Sequence, residues 1–203
     1  MSGKKDGTLR WLDETQFKDR WSQRNARLLE MLQECSLKLD QMSFTEYGCG
    51  PRSPFAEVGR GFFKSGNRAD IKAWDPEVTV VDLNDPNAAL PPSDIGVLSG
   101  VLEYLNDPAR VLAQMSSNHE ILALSYMVFG RPRRLGLFLG GERETENCVR
   151  KLRQRSFQHG VRNHLTFFEL LRLVGEFGYI ENAGKFRSHV LLILRSTQGR
   201  SCA

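Results

Sequence analysis

Apolar positions follow two rhythms along this chain. Over 13–40, Phe17, Trp21, Leu28, Leu29, Leu32, Leu37 and Leu39 recur near a 3.6-residue period, with Asp13 available as a cap, so the spacing predicts a helix. The pattern then shortens. Apolar runs over 42–47, 79–81, 95–99, 121–126 and 190–195 predict strands, and segments over 54–63, 108–115 and 166–177 predict helices between them. Strands alternating with helices point to an α/β fold with a mostly parallel sheet covered on both faces. Residues 1–10 are polar and basic and predict a disordered tail. The stretch 129–160, with Gly130, Pro132, Gly136, Gly140 and Gly141, has no place in the alternation. In open α/β sheets ligands bind beyond the carboxyl ends of the strands, so an insert following a strand there is placed to cover a substrate. The expected organisation is a tail and helix over 1–40, forming a substrate-side cap, and one α/β domain over 41–203 carrying that insert.

Composition narrows the class. A chain of 203 residues, 40% apolar and 26% charged, is sized for one well-cored globular domain. It has no apolar run near the roughly 20 residues needed to span a bilayer, and the N-terminus has no apolar secretory core. The expectation is a cytoplasmic protein. Cys35, Cys49, Cys148 and Cys202 are far apart, and His119, His159, His164 and His189 do not cluster with them, so no metal is expected. The net charge of +4 is too mild to imply nucleic acid, although it is uneven: 131–155 holds eight basic residues, beginning at Arg131, against three acids.

Candidate chemistry sits at the predicted strand ends. Phe44-Thr45-Glu46-Tyr47-Gly48-Cys49-Gly50-Pro51 places an acid two residues before a Gly-x-Gly turn, which allows close backbone approach to a ligand. The third glycine of the dinucleotide fingerprint is absent, since Arg52 and Ser53 follow. Asp70 comes 24 residues after Glu46, with Asp75 as its competitor, and Gly66-Asn67-Arg68-Ala69 before it makes a poor strand. Val80-Val81-Asp82-Leu83-Asn84 is an apolar strand ending in an acid. Asp94 opens a further strand that ends at Ser99-Gly100 and turns into Val101-Leu102-Glu103-Tyr104-Leu105.

In this order the blocks resemble the class I S-adenosylmethionine-dependent methyltransferases. The turn at Glu46 to Gly50 resembles that family's glycine-rich motif, and the Asp94 block resembles its fourth strand with a Val-Leu-Glu-His-Leu-like sequence. Leu165-Thr166-Phe167-Phe168-Glu169, running on to Gly178-Tyr179, resembles the late helix and the turn before a final antiparallel hairpin. Asp82-Leu83-Asn84, Leu90-Pro91 and Ser125-Tyr126 are similar to small bacterial members of the methionine-biosynthesis MetW type and of glycan clusters. The resemblance implies a Rossmann-like fold, a seven-stranded sheet with an antiparallel last strand, and S-adenosylmethionine as cofactor, with S-adenosylhomocysteine as product. It implies Glu46, Gly48, Cys49 and Gly50 near the methionine end and Asp70 on the ribose diol, for which a carboxylate has two acceptor oxygens. Asp82 and Leu83 would meet the adenine, and the carbonyls of Ser99 and Gly100 the ammonium. Asp82 and Asp94 have an alternative role as caps of the turns that follow them.

Methyl transfer depends chiefly on alignment of the two reactants, and a base is needed only where the acceptor must lose a proton. His164 and Tyr126 are the candidate bases. Tyr104, Arg131, His159 and Asn163 are candidate acceptor contacts, and Tyr104 stands where relatives often carry histidine. The favoured acceptor is a small molecule or saccharide, with the basic insert suiting an anionic group. Two departures, Pro51-Arg52 after the turn and Ser116-Ser117-Asn118-His119 before the next strand, favour an alternative: a binding or scaffold protein that has lost turnover. An RNA methyltransferase is a further alternative, with nucleic acid less favoured because no binding module or base-flipping tetrad is present.

Overall fold

The computed structural model describes residues 20–128 and 161–197. Seven strands form one sheet: β1 (Ser43–Tyr47), β2 (Ser65–Asp70), β3 (Val78–Val80), β4 (Ile95–Ser99), β5 (Ile121–Met127), β6 (Gly178–Phe186) and β7 (His189–Ser196). Their order across the sheet is β3-β2-β1-β4-β5-β7-β6. The ladders from β3 to β5 are parallel, and β7 runs antiparallel to both neighbours, as expected of the last strand. The described helices are α1 (Arg20–Glu34), α2 (Pro54–Val58), α3 (Pro108–Asn118) and α4 (Phe167–Gly175).

Period-2 alternation divides the core between the two faces. On one face Leu28, Met31 and Leu32 of α1 and Phe55 of α2 pack on Ile95, Val97, Ile121, Ala123, Leu191 and Ile193. On the other, Val111, Leu112 and Met115 of α3 and Leu170 and Val174 of α4 cover Leu98, Leu122, Leu124, Leu192 and Leu194. The helix at the N-terminal end is thus part of the sheet's own core. Local chemistry sets the helix starts. Asp107 accepts from the Arg110 amide at 3.0 Å ahead of Pro108, and Thr166 with Glu169 forms a capping box. At the opposite, amino-terminal edge of the sheet, Asp94 Oδ2 accepts from both the amide and the hydroxyl of Ser43 at 2.7 Å, tying β1 to β4.

Several elements differ from the periodicity. The helix expected over 54–63 is only Pro54–Val58, because Gly59 follows and Gly61 takes φ +83°. The long helix expected over 13–40 ends at Glu34, Ser36 having turned to φ 55°; its first residues lie outside the described ones. Two strands have no clear apolar rhythm. In β2, Gly66 is required by packing rather than by strand propensity: a Cβ there would lie 2.3 Å from the Phe44 ring. In β6, most side chains are exposed or half-buried, as suits an edge strand.

Candidate functional site

The carboxyl ends of β1, β2 and β4 bring the predicted cofactor residues together. Gly48 and Gly50 take φ +66° and +60°, and a Cβ on Gly48 would meet the Val101 side chain at 2.5 Å, so this turn admits only glycine at that position. The turn is stitched to the end of β2. Gly48 N–H and Cys49 N–H both donate to the Ala69 carbonyl, at 2.8 and 3.3 Å, and Gly50 N–H donates to Asp70 Oδ2 at 2.7 Å. All three amides are therefore engaged, and the turn offers no N–H cradle for a phosphate. Cys49 is buried, and desolvation pushes its thiol up to about 12.

Glu46 lies in β1, one residue before its carboxyl end. Its two oxygens accept from the Phe55 and Ala56 amides, each at 2.9 Å, so the side chain caps α2 from beneath. Burial pushes this carboxyl up to about 7, against the pull of those two amides. Asp70 and Asp75 differ in place. Asp75 forms a two-pronged ion pair with Arg68, at 2.8 and 3.0 Å, whereas Asp70 ends β2 beside the glycine turn. Burial raises the Asp70 carboxyl, and the amides of Gly50, Lys72 and Ile71 and the Trp74 side chain oppose that shift. Asp82 is exposed and accepts from the Asn84 amide at 2.8 Å, the turn-capping role; Leu83 is buried beside it.

The Ser99 carbonyl carries a cation. Arg24, on α1 and only 7% exposed, donates from Nη2 to Ser99 O at 2.9 Å and from Nε to Ser99 Oγ at 3.1 Å. Its Nη1 lies 3.0 Å from His189 Nε2. Gly100 takes φ +71°, and a Cβ there would fall 2.8 Å from the guanidinium. Glu103 lies next to this group, with Oε1 4.0 Å from His189 Nε2 and accepting from the Met127 amide at 2.8 Å. Sequence reasoning missed Arg24, Glu103 and His189. The signal for the first was present: Arg24 and Asn25 precede Leu28, Leu29 and Leu32 at helical spacing, a charge on the buried stripe.

Two candidate residues, Tyr126 and Asn163, are bonded to each other. The Tyr126 hydroxyl donates to Asn163 Oδ1 at 2.7 Å and accepts from the Leu165 amide at 2.8 Å. The Asn163 amide group donates to the carbonyls of Leu102 and Leu105 at 2.6 and 2.9 Å. Together they pin the segment before α4 to the turn after β4. His164 is buried in the same segment, and Tyr104 is half-buried in the turn at Leu102–Tyr104. Arg131 and His159 lie outside the described residues. Between α1 and the start of α2 there is a cleft of about 850 Å³, lined among others by Trp21, Arg52, Ser53 and Arg60.

No family model matches the sequence, and no curated protein does. Solved structures match in fold. The N-methyltransferase NodS from Bradyrhizobium japonicum, in complex with S-adenosylhomocysteine, is 13% identical with a TM-score of 0.62, over 95% of this chain and 100% of that one. The [4+2]-cyclase SpnF is 14% identical with a TM-score of 0.58, over 86% and 81%. The pyocyanin biosynthetic protein PhzM is 13% identical with a TM-score of 0.54, over 79% of this chain; the match spans about half, 52%, of PhzM. A cyclase and an N-methyltransferase share this architecture, so the fold alone does not name a reaction. What sheet order, strand directions and structural likeness together establish is the Rossmann-like class I methyltransferase fold.

Proposed function

We propose that this protein is an S-adenosylmethionine-dependent methyltransferase acting on a small molecule or saccharide with an anionic group. The observation that carries the reading is the acceptor-rich character of the carboxyl edge. The turn's amides are spent on β2, and the Asp70 and Asp82 carboxylates and the Ser99 carbonyl, which also accept bonds within the fold, stand at the ends of β2 and β4 and just after β3. A ligand that suits this edge brings donors: an ammonium, a ribose diol and an adenine amino group. A pyrophosphate does not suit it. The guanidinium seated on the Ser99 carbonyl shows that this oxygen accepts from a cation. S-adenosylhomocysteine bound to the structural neighbour NodS supports the same cofactor here.

The bound cofactor would supply a methyl group on a sulfonium. The chain's own part is to hold and align. Gly48 and Gly50 let the ligand lie against bare backbone, Asp70 accepts from hydroxyls while keeping the turn closed, and Leu83 gives an apolar wall. Methyl transfer then depends on holding the two reactants in line. The cleft bearing Trp21, Arg52 and Arg60 is where an anionic acceptor would meet positive side chains, although Glu57 and Glu77 line it too. The similarity to MetW-type enzymes belongs to this proposal too, and rests on the short motifs alone.

Calorimetry with S-adenosylhomocysteine tests the reading. Micromolar binding is expected, weakened about tenfold or more in Asp70→Asn and only a few-fold in the exposed Asp82→Ala. Absence of binding at millimolar ligand would sink it. A second reading, a binding protein without turnover, is favoured by one observation: Tyr126 and Asn163 are both consumed in structural bonds. Binding without methyl transfer to any acceptor in a broad screen of phenols, amines and saccharides would support it.

A further inference from the structure

The cleft between α1 and the start of α2 is bounded on the α1 side by Trp21 and Ser22. At about 100° per residue, Asn25 falls between those two around the helix and one turn further along it. Helical side chains lean toward the amino-terminal turn, so the Asn25 amide points back toward Trp21 and Ser22. Asn25 is 0% exposed, and neither its Oδ1 nor its Nδ2 has a hydrogen-bond partner among the described residues. A buried amide left in this way, with two donor hydrogens and a carbonyl, is costly unless another polar group meets it.

The rest of the lining is polar and carries both signs of charge. Arg60 stands there with Glu57 and Glu77, and the half-buried Trp21 ring gives one flat apolar surface. A phosphate or nucleotide is poorly matched, because the two carboxylates repel its charge. An apolar ligand would strand the charged groups. A polyhydroxylated ring fits both features. Each hydroxyl donates and accepts, so it can meet a carboxylate, a guanidinium or an amide, and the ring keeps an apolar C–H face to lie on the indole. The cleft also opens beside the cofactor edge, since Ser53 and Pro54 line it and follow the turn at Gly48–Gly50.

We propose that this cleft is the acceptor site and that it takes a saccharide, with the sugar ring against Trp21 and a hydroxyl on the Asn25 amide. Asn25 lies behind Trp21 and Ser22, so the hydroxyl meets the amide between them as the indole turns aside. The proposal rests on the methyltransferase reading above for the use made of the bound sugar, and it narrows that reading from small molecules in general to one class. Asn25 is then the residue that separates hydroxyl-bearing acceptors from apolar ones.

Saturation-transfer NMR on the full chain with glucose, glucosamine and glucuronate tests the site, with calorimetry of S-adenosylhomocysteine beside it. Wild type is expected to bind at least one of the sugars at about millimolar strength. Asn25→Leu removes the unmet amide, so the fold is expected to hold. Sugar binding is expected to weaken about fivefold or more in that variant while S-adenosylhomocysteine stays within about threefold. Unchanged sugar binding in Asn25→Leu overturns the proposal, and so does equal weakening of both ligands. Where Asn25→Leu does not fold, Trp21→Ala carries the same comparison with the same outcomes. A chain that binds S-adenosylhomocysteine but none of the sugars at about 50 mM overturns the proposal and leaves the cofactor reading standing. Binding of inorganic phosphate in place of any sugar also overturns it. A chain that binds a sugar through Asn25 but no S-adenosylhomocysteine refutes the cofactor reading instead.

Discussion

Glu46 and Glu103 are two buried glutamates at the same edge of the sheet, and burial pushes both carboxyls up. Their surroundings differ. Glu46, at the end of β1, gives each oxygen to an amide of α2. Glu103, after β4, gives one oxygen to the Met127 amide and keeps the other without a hydrogen-bond partner among the described residues, with Arg24 and His189 close by. The β1–β2 half of the edge is therefore closed on itself: a carboxylate caps a helix and a second one holds the glycine turn. The β4–β5–β7 half keeps polar capacity in reserve. Both look alike as acids at strand ends, and only their hydrogen-bond partners tell them apart.

The sharpest way to break this comparison is Glu46→Ala. It orphans two amides at a buried helix start and should cost about 2–4 kcal/mol, read by urea unfolding. A cost below about 1 kcal/mol would mean that the cap is not holding α2.

Next in size is the pH dependence. Glu46 titrates at about 7 in the fold against an ordinary 4.5, so between those values the folded chain binds a proton that the unfolded chain has released. Stability from this group is present below pH 4.5 and is lost as pH rises through 7, a contribution on the order of 1–3 kcal/mol. Glu103 shifts in the same direction and adds to the slope. Unfolding curves between pH 5 and 8 should show stability falling as pH rises, with the slope reduced in Glu46→Gln; an identical slope in that variant would contradict the assignment.

The smallest expected effect is that of Glu103→Gln. A glutamine keeps an acceptor for the Met127 amide and removes a buried charge, so stability should stay within about 1 kcal/mol of wild type in the same urea measurement. A loss as large as that of Glu46→Ala would erase the distinction between the two halves of the edge.

Much of the fold could be read from local patterning. The strand at Ile95–Ser99 and the helix starting at Pro108 lie where apolar runs and a cap-plus-proline start put them. Those signals are local, so one window of residues contains them. The strand at Ser65–Asp70 could not be read in this way, because its glycine answers to the Phe44 ring on a neighbouring strand. The site divides similarly. The Gly48–Gly50 turn and Asp70 were visible as residue types at a spacing, yet the partners of the three turn amides depend on where β2 ends. The partners of Glu46, two amides of α2, could not be read from the sequence, which does not tell which way a strand-end acid points.

By itself the sequence determined the alternation of strands and helices, the caps that start α3 and α4, and the short set of acids and glycines from which a site could be made. Those depend on backbone propensity and on periods of two and 3.6, which each segment carries within itself. Only the tertiary structure decided which acids are spent on the fold, that Tyr126 and Asn163 are a fastening, and that Arg24 reaches Ser99 across 75 residues of chain. Hydrogen-bond satisfaction and burial are properties of the packed whole, since a donor and its acceptor meet only when distant strands and helices share one edge.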